Sequence, residues 1–286
     1  MAKPRLAGDY AGDITEASRS VLAELGTTLG AYRDALVLIG GWAPYFFLQA
    51  FGDPAGEFRH VGSIDIDWVV DPALIDIARY ETIVGLLLDR GYEPVAASLY
   101  QFERVVPGPG GQQFVVRTDF LTPQPLAGKG RSHRHRQIQH DLKARTLPGA
   151  EVALRHLFRY TLRAGYPGGG LAEVEIQIAD LVAILALKGI AMGERYAEKD
   201  AYDIYAVCAH HRGGAAAVAK ALQPHLREEP VSRGLSTLAQ RFRAPDAEGP
   251  TWVAAFLGAV EPESNVRARQ DAFMTVREVL ALSGFG

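Results

Sequence analysis

The sequence has only one cysteine, Cys208, and no long uninterrupted apolar stretch. A single cysteine excludes an intramolecular disulfide and any zinc site built on several thiolates, which fits a reducing compartment. The apolar runs fall short of the roughly 18 residues that a membrane-spanning helix needs, and the N-terminus lacks the apolar core of a signal peptide. We therefore expect a soluble, cytoplasmic protein with no membrane partner.

The chain also carries little net charge. The formal net charge is -3 over 286 residues, so the chain lacks the overall basic character of a protein that coats nucleic acid. Hydrophobic residues make up 48% of the chain, which is enough to bury a sizeable core in one large domain or two small ones. Function must therefore be inferred from local patterns.

Hydrophobic periodicity changes along the chain and indicates two parts. Up to about residue 180, short apolar runs alternate with helical patterns, and beyond it helical patterns dominate. We predict an α/β domain over residues 1–180, with a small mixed sheet flanked by helices, and a C-terminal helical bundle over residues 181–286. Strands are expected at 35–39, 63–70, 99–106, 113–121, 154–163 and 171–178, a helix at 72–90, and irregular structure at 122–149.

The run from Ser63 to Asp67 alternates polar and apolar residues. On a strand, side chains two residues apart point the same way, so Asp65 and Asp67 stand side by side. Asp119, late in another predicted strand, can supply a third carboxylate. Carboxylate oxygens are the ligands that Mg²⁺ (or Mn²⁺) prefers, and two such ions can clamp both oxygens of an in-line displacement at phosphorus. The alternative is a solvated strand edge, which the apolar Ile64 and Ile66 disfavour.

Gly40 and Gly41 lie between a predicted strand and a predicted helix. Without side chains there, phosphate oxygens can approach the backbone, and the N–H groups at the start of the helix point at the anion. Ser63 can add a hydroxyl contact to phosphate. A simple turn is the alternative for an isolated Gly-Gly pair.

A second charged motif occurs near the start of the last third of the chain. Asp200 and Asp203 are three residues apart and share one face of a helix, while Lys199 and Asp203 form an i, i+4 pair. A solvated helix with weak surface ion pairs is the alternative to a functional role.

Together these motifs resemble the polymerase-beta-like nucleotidyltransferase superfamily. The segment that ends in Lys199, Asp200 and Asp203, with Lys188 upstream, is similar to the closing motif of its AbiEii/AbiGii toxin branch, found in type IV toxin–antitoxin systems. The interval from Gly41 to Asp65 is longer than in the shortest members because of a loop at 52–62.

The resemblance implies a role for each matching residue. Asp65, Asp67 and Asp119 match the metal-binding carboxylates, with Asp119 nearest the acceptor hydroxyl. The residues that match phosphate or nucleotide contacts are Gly40, Gly41, Ser63, Lys188, Lys199 and Asp203, and Asp200 matches a base or an orienting group. The implied reaction is transfer of a nucleoside monophosphate from an NTP to a hydroxyl acceptor, such as tRNA or a protein, with a cognate antitoxin as a further partner.

Two other functions remain open from the residues alone. A metal-dependent glycosyltransferase also uses an Asp-x-Asp pair, although it does not explain the Gly-Gly and Lys-Asp-x-x-Asp elements. A non-catalytic partner that only binds nucleotide would keep the same cleft.

The densest basic stretch follows Asp119. It favours phosphate contacts to an acceptor RNA, with a solvated loop as the alternative. Its basic side chains are Lys129, Arg131, His133, Arg134, His135, Arg136, His140, Lys143 and Arg145.

Overall fold

A computed structural model describes residues 6–10, 12–75, 81–96, 98, 100–108, 111–125, 134–196 and 198–285. Within these residues the protein is mixed α/β, with a mixed β-sheet and helices. The chain forms two compact units. The sheet unit comprises Gly12–Trp42 and Ser63–Ala179, and the helical unit comprises Met1–Ala11, Ala43–Gly62 and Asp180–Gly286. The division into continuous domains 1–180 and 181–286 stays a prediction.

Every described strand belongs to the sheet unit. The strands are β1 (Leu36–Ile39), β2 (Ile66–Val70), β3 (Glu93–Pro94), β4 (Gln101–Pro107), β5 (Gln113–Pro123), β6 (His135–Gln137), β7 (Lys143–Leu147), β8 (Leu157–Gly165) and β9 (Leu171–Ala179). Their order across the sheet is β3-β4-β5-β2-β1-β9-β8, with β7 pairing the end of β5 and β6 pairing β7. Because β2–β5 and β1–β9 are parallel while the other pairs along this order are antiparallel, the sheet is mixed.

The described helices lie at both ends of the chain and between the strands. They are α1 (Asp13–Thr28), α2 (Trp42–Phe51), α3 (Ile83–Asp89), α4 (Glu151–Arg155), α5 (Leu181–Glu194), α6 (Glu198–His210), α7 (Gly214–Leu222), α8 (Glu229–Arg241), α9 (Glu248–Phe256) and α10 (Pro262–Ser283). None of them is both long and apolar enough to cross a bilayer.

Helix α1 covers one face of the sheet. Its Leu25 is fully buried, and Gly26 lies so close to β9 that an added Cβ would be 3.0 Å from Ile176 Cγ2. Strand β5 alternates accordingly: Phe120 is buried on one face, while Arg117 and Asp119 point to the other. The α1 helix thus leaves the polar side chains of the central strands on the opposite face of the sheet.

In the helical unit, α5 and α8 pack backbone against backbone. A Cβ added at Gly189 would lie 2.8 Å from Gly234 Cα, and one added at Gly234 would lie 2.7 Å from Ala186 Cα. Helical patterns in the sequence of this region predict helices at about 179–193, 198–212, 213–227 and 264–283, so α8 and α9 were not predicted individually. In α8, a mid-helix glycine lowers helix propensity, and the close helix crossing that it permits depends on tertiary structure.

Two other predictions of local structure were wrong. Among the described residues of the helix expected at 72–90, only α3 is helical, because Asp71 accepts a hydrogen bond from the Ala73 N–H (2.9 Å) in a turn and Thr82 caps α3 through the Gly85 N–H (3.0 Å). Residues 76–80 of that prediction lie outside the described part of the chain. The segment 122–149, expected to be irregular, contains β6, β7 and the end of β5, so the sheet is larger than predicted.

Candidate functional site

Two parallel strands bring the predicted carboxylates together. In the register of β2 and β5, Asp67 lies directly opposite Asp119, so the two side chains share one face of the sheet. Asp65 lies just before β2, which starts at Ile66 rather than at Ser63 as expected. Its charge still reaches Asp119, since it is one of the causes of the shifted pKa of that residue. Asp67 and Asp119 are therefore neighbours across two strands, and Asp65 lies within electrostatic range of Asp119; we call these three carboxylates the acidic cluster.

Asp119 is half-buried and its main contact is an amide. Gln101, directly opposite on β4, places Nε2 at 3.0 Å from both Oδ1 and Oδ2 of Asp119. Burial raises the pKa of the Asp119 carboxyl, the Gln101 hydrogen bonds lower it, and the negative charge of Asp65 raises it again. The net shift is upward, so ionised Asp119 is held in an environment that disfavours its charge. Sequence reasoning did not identify Gln101, because nothing local marks a glutamine opposite an aspartate.

Gly40 follows β1 in a backbone conformation that favours glycine, with φ +69°. A Cβ added there would overlap Oδ2 of Asp67 and would lie 3.1 Å from the Asp67 Cβ. The space beside Gly40 is thus occupied by the Asp67 carboxylate, whereas the sequence reading reserved it for phosphate. Gly41 is buried just before α2, and Ser63 is buried with 7% of its surface exposed. Phosphate binding by Gly40, Gly41 and Ser63 stays a prediction.

Two arginines lie beside the acidic cluster, and each has another partner. Arg117 Nε is 2.7 Å from Glu103 Oε1, with Glu103 directly opposite on β4. The Arg145 guanidinium carbon lies 5.7 Å from the centre of the Tyr100 ring. Both cations act electrostatically on Asp119 and lower its pKa. Of the predicted basic stretch, residues 129–133 lie outside the described residues, and the remainder occupies β6, β7 and the segments beside them.

A separate charged cluster lies within the helical unit. Lys188 Nζ on α5 is 2.7 Å from Asp200 Oδ1 and 2.6 Å from Asp203 Oδ2, both on α6. Lys199 Nζ is 2.9 Å from Asp203 Oδ1, as the i, i+4 spacing predicted, and Arg195 Nη2 is 2.9 Å from Asp200 Oδ2. The two aspartates are buried, so this motif is an internal ion network instead of a solvated helix face.

Burial and pairing oppose each other in this network. Burial alone would raise the pKa of both aspartates, but the neighbouring cations outweigh it, chiefly Lys188, and hold each pKa below its ordinary value. Burial would likewise lower the pKa of Lys188, yet Asp200 and Asp203 raise it above its usual range. For Lys199 burial dominates and its pKa falls. Asp200 is therefore a weak proton acceptor and is better suited to orienting a cation.

His60 is a member of this network that the sequence reading missed. Its Nδ1 accepts a hydrogen bond from the Gly62 N–H (3.1 Å), so the proton is on Nε2, which donates to Asp203 Oδ1 (3.0 Å). Burial lowers the pKa of His60 to about 4, so the imidazole is neutral at pH 7. No local pattern could have revealed it, since Asp203 is 143 residues away in the chain.

The acidic cluster offers the donor atoms that suit a hard divalent cation, although the oxygens of all three carboxylates do not lie within 4.8 Å of one another. Its donors are carboxylate oxygens on adjacent strands, which Mg²⁺ and Mn²⁺ prefer, and a bound cation would relieve the repulsion that contributes to the raised pKa of Asp119. The residues that could hold such an ion are Asp65, Asp67 and Asp119.

Comparison with known proteins gives no match: no protein-family model, no curated protein and no solved structure matches the chain.

Proposed function

We propose that the chain is a magnesium-dependent nucleotidyltransferase of the polymerase-beta-like superfamily, related to the AbiEii/AbiGii toxins. The observation that carries the proposal is the register of β2 and β5, which sets Asp67 opposite Asp119 with Asp65 two residues earlier. The three carboxylates that the family motif uses for metal binding match Asp65, Asp67 and Asp119, and this register supports that match. The proposed reaction transfers a nucleoside monophosphate from an NTP to a hydroxyl of an acceptor such as tRNA or a protein.

The carboxylates of Asp65, Asp67 and Asp119 would hold Mg²⁺. When bound, the ion supplies Lewis-acid stabilisation of phosphate charge and lowers the pKa of a coordinated hydroxyl. Asp119 is proposed to lie nearest the acceptor hydroxyl. Most of the rate would then come from positioning and from electrostatic stabilisation by these groups.

The helical-unit network is assigned a nucleotide-binding role on the strength of the resemblance. Lys188 and Lys199 are proposed to contact phosphate or nucleotide. Asp200 and Asp203 are proposed to orient the two ammonium groups, because both carboxylates are ionised and already accept hydrogen bonds from them. Of the two roles that the resemblance implies for Asp200, we therefore propose the orienting role and not that of a base.

The direct test is transfer of label from each of four α-³²P NTPs, with Mg²⁺, to total tRNA, to protein extract and to no acceptor. The key variant is Asp65→Asn, which keeps side-chain size and removes the charge. The matched control is Asp71→Asn at the end of β2, where the side-chain oxygen that accepts from the Ala73 N–H is retained. We expect label transfer by the wild type and by Asp71→Asn, and none by Asp65→Asn.

The outcomes separate the remaining functions. Label transfer retained in Asp65→Asn would show that these carboxylates do not form the catalytic metal site. Binding of NTP and Mg²⁺ by calorimetry without turnover on any acceptor would favour the non-catalytic nucleotide-binding partner. Transfer from a labelled nucleotide sugar would instead establish a glycosyltransferase.

A further inference from the structure

The backbone at Gln101 is fixed by hydrogen bonds on both sides. Its backbone carbonyl accepts the Val95 N–H at 3.0 Å, and the carbonyl of the preceding Tyr100 accepts the Phe120 N–H at 2.9 Å. The backbone beside Gln101 is thus hydrogen-bonded toward β3 on one side and toward β5 on the other. From this position the Gln101 side-chain amide lies 3.0 Å from both carboxylate oxygens of Asp119.

The chemical type of this donor matters. A lysine or arginine in place of Gln101 could orient the carboxylate equally well, but its positive charge would cancel the negative charge that attracts a divalent cation. A neutral amide fixes the direction of the carboxylate and leaves that charge in place. Hydrogen bonds to carboxylates that ligate a metal orient them for the ion, and losing such a partner commonly weakens metal binding.

The arginine on the same strand as Asp119 is held by an ion pair with another carboxylate. Arg117 lies two residues before Asp119 on the same face of β5, and the two side chains interact electrostatically. The Arg117 Nε, however, binds Glu103 at 2.7 Å. Glu103 lies two residues after Gln101 on β4, so one short segment of β4 faces both residues of β5. Among the described residues, Gln101 is the side chain that hydrogen-bonds Asp119, and a cation does not take that place.

We propose that Gln101 is a positioning residue for the metal site: its amide orients the Asp119 carboxylate toward the cation while adding no charge. The inference rests on the proposed function, because it needs Asp119 to be a metal ligand. It assigns Gln101 an effect on the affinity for the ion itself, apart from any turnover.

The test measures Mn²⁺ binding by electron paramagnetic resonance, with Mn²⁺ alone as the probe. Gln101→Leu removes the donor, and Gln101→Lys keeps a donor but adds a charge. The matched control is Gln177→Leu in the same unit, whose amide donates to the backbone carbonyl of Arg33 (2.9 Å) and so has a purely structural contact. Circular dichroism and urea unfolding check that each variant is folded.

We expect Gln101→Leu to weaken Mn²⁺ binding about 10-fold, Gln101→Lys to weaken it further, and Gln177→Leu to leave it unchanged. Wild-type affinity in Gln101→Leu would overturn the positioning role, and wild-type affinity in Gln101→Lys would overturn the charge argument. Asp65→Asn separates the two proposals. If wild type binds Mn²⁺ and Asp65→Asn does not, the metal site stands whatever Gln101 does, whereas absence of Mn²⁺ binding in wild type would overturn both proposals together.

Discussion

Replacing Gly40 with alanine should destabilise the folded protein through two separable effects. A residue with a side chain at φ +69° has a strained backbone, which costs about 1–2 kcal/mol. The new Cβ would also overlap the Asp67 carboxylate, and forcing extra volume into a packed site costs roughly a further 1–3 kcal/mol. We therefore expect Gly40→Ala to lower the free energy of unfolding by about 2–5 kcal/mol and to move Asp67 away from its position opposite Asp119.

Gly111 provides the matched control, because its φ is +79° and a Cβ added there meets no atom within 4 Å. Gly111→Ala should show only the backbone cost of about 1–2 kcal/mol. Urea unfolding with linear extrapolation measures both variants, and Mn²⁺ binding reports whether Asp67 has moved. In an Asp67→Ala background the extra cost of Gly40→Ala should shrink, since the overlapping oxygen is gone. Equal destabilisation by Gly40→Ala and Gly111→Ala would refute the reasoning.

Three further predictions follow from the buried charges. Asp119→Asn should raise the urea midpoint of unfolding at pH 7 without divalent cations, because the raised pKa of Asp119 means that its ionised form disfavours folding. This gain in stability should vanish as the pH falls below the ordinary pKa of aspartate. An unchanged urea midpoint at pH 7 would contradict the prediction. Lys188→Met should cost about 3–5 kcal/mol by leaving Asp203 short of a cation, whereas Arg195→Met, at a side chain 65% exposed, should cost under about 1 kcal/mol in the same unfolding assay. Because the pKa of His60 is about 4 in the folded state and 6.5 ordinarily, the unfolded state takes up the proton first as the pH falls. The free energy of unfolding should therefore decrease by up to about 3 kcal/mol from pH 6.5 to 4, and His60→Gln should reduce this pH dependence in urea titrations. An unchanged pH dependence in His60→Gln would show that another group causes it.

The acidic cluster was predictable because strand periodicity is local. Alternation around Asp65 and Asp67 put both side chains on one face, and Asp119 lay late in a second strand. The register that sets Asp119 opposite Asp67 is a property of strand pairing, and one residue of slip would turn Asp119 to the other face. The adjacency was therefore a hypothesis that only the folded structure could support.

Long-range partners explain most of what was missed. His60 and Gln101 have no local signature, since the bond of His60 to Asp203 and that of Gln101 to Asp119 exist only after folding. The sequence predicted open space beside Gly40 but not that the Asp67 carboxylate lies there, because a sequence does not show which group fills the space left by a missing side chain. Strands β6 and β7 were missed because short, charged strands lack a clear apolar alternation.

The helical unit is assembled from segments far apart in the chain, and this has a consequence for its synthesis. All residues of the sheet unit have been translated by Ala179, whereas Ala43–Gly62 belongs with a unit whose main part starts at Asp180. At roughly 5–20 residues per second, the 143-residue separation of His60 and Asp203 corresponds to about 7–30 s of synthesis. During that interval the Nε2–H of His60 lacks Asp203, the acceptor that it has in the folded protein, although every residue of the sheet unit has already been made.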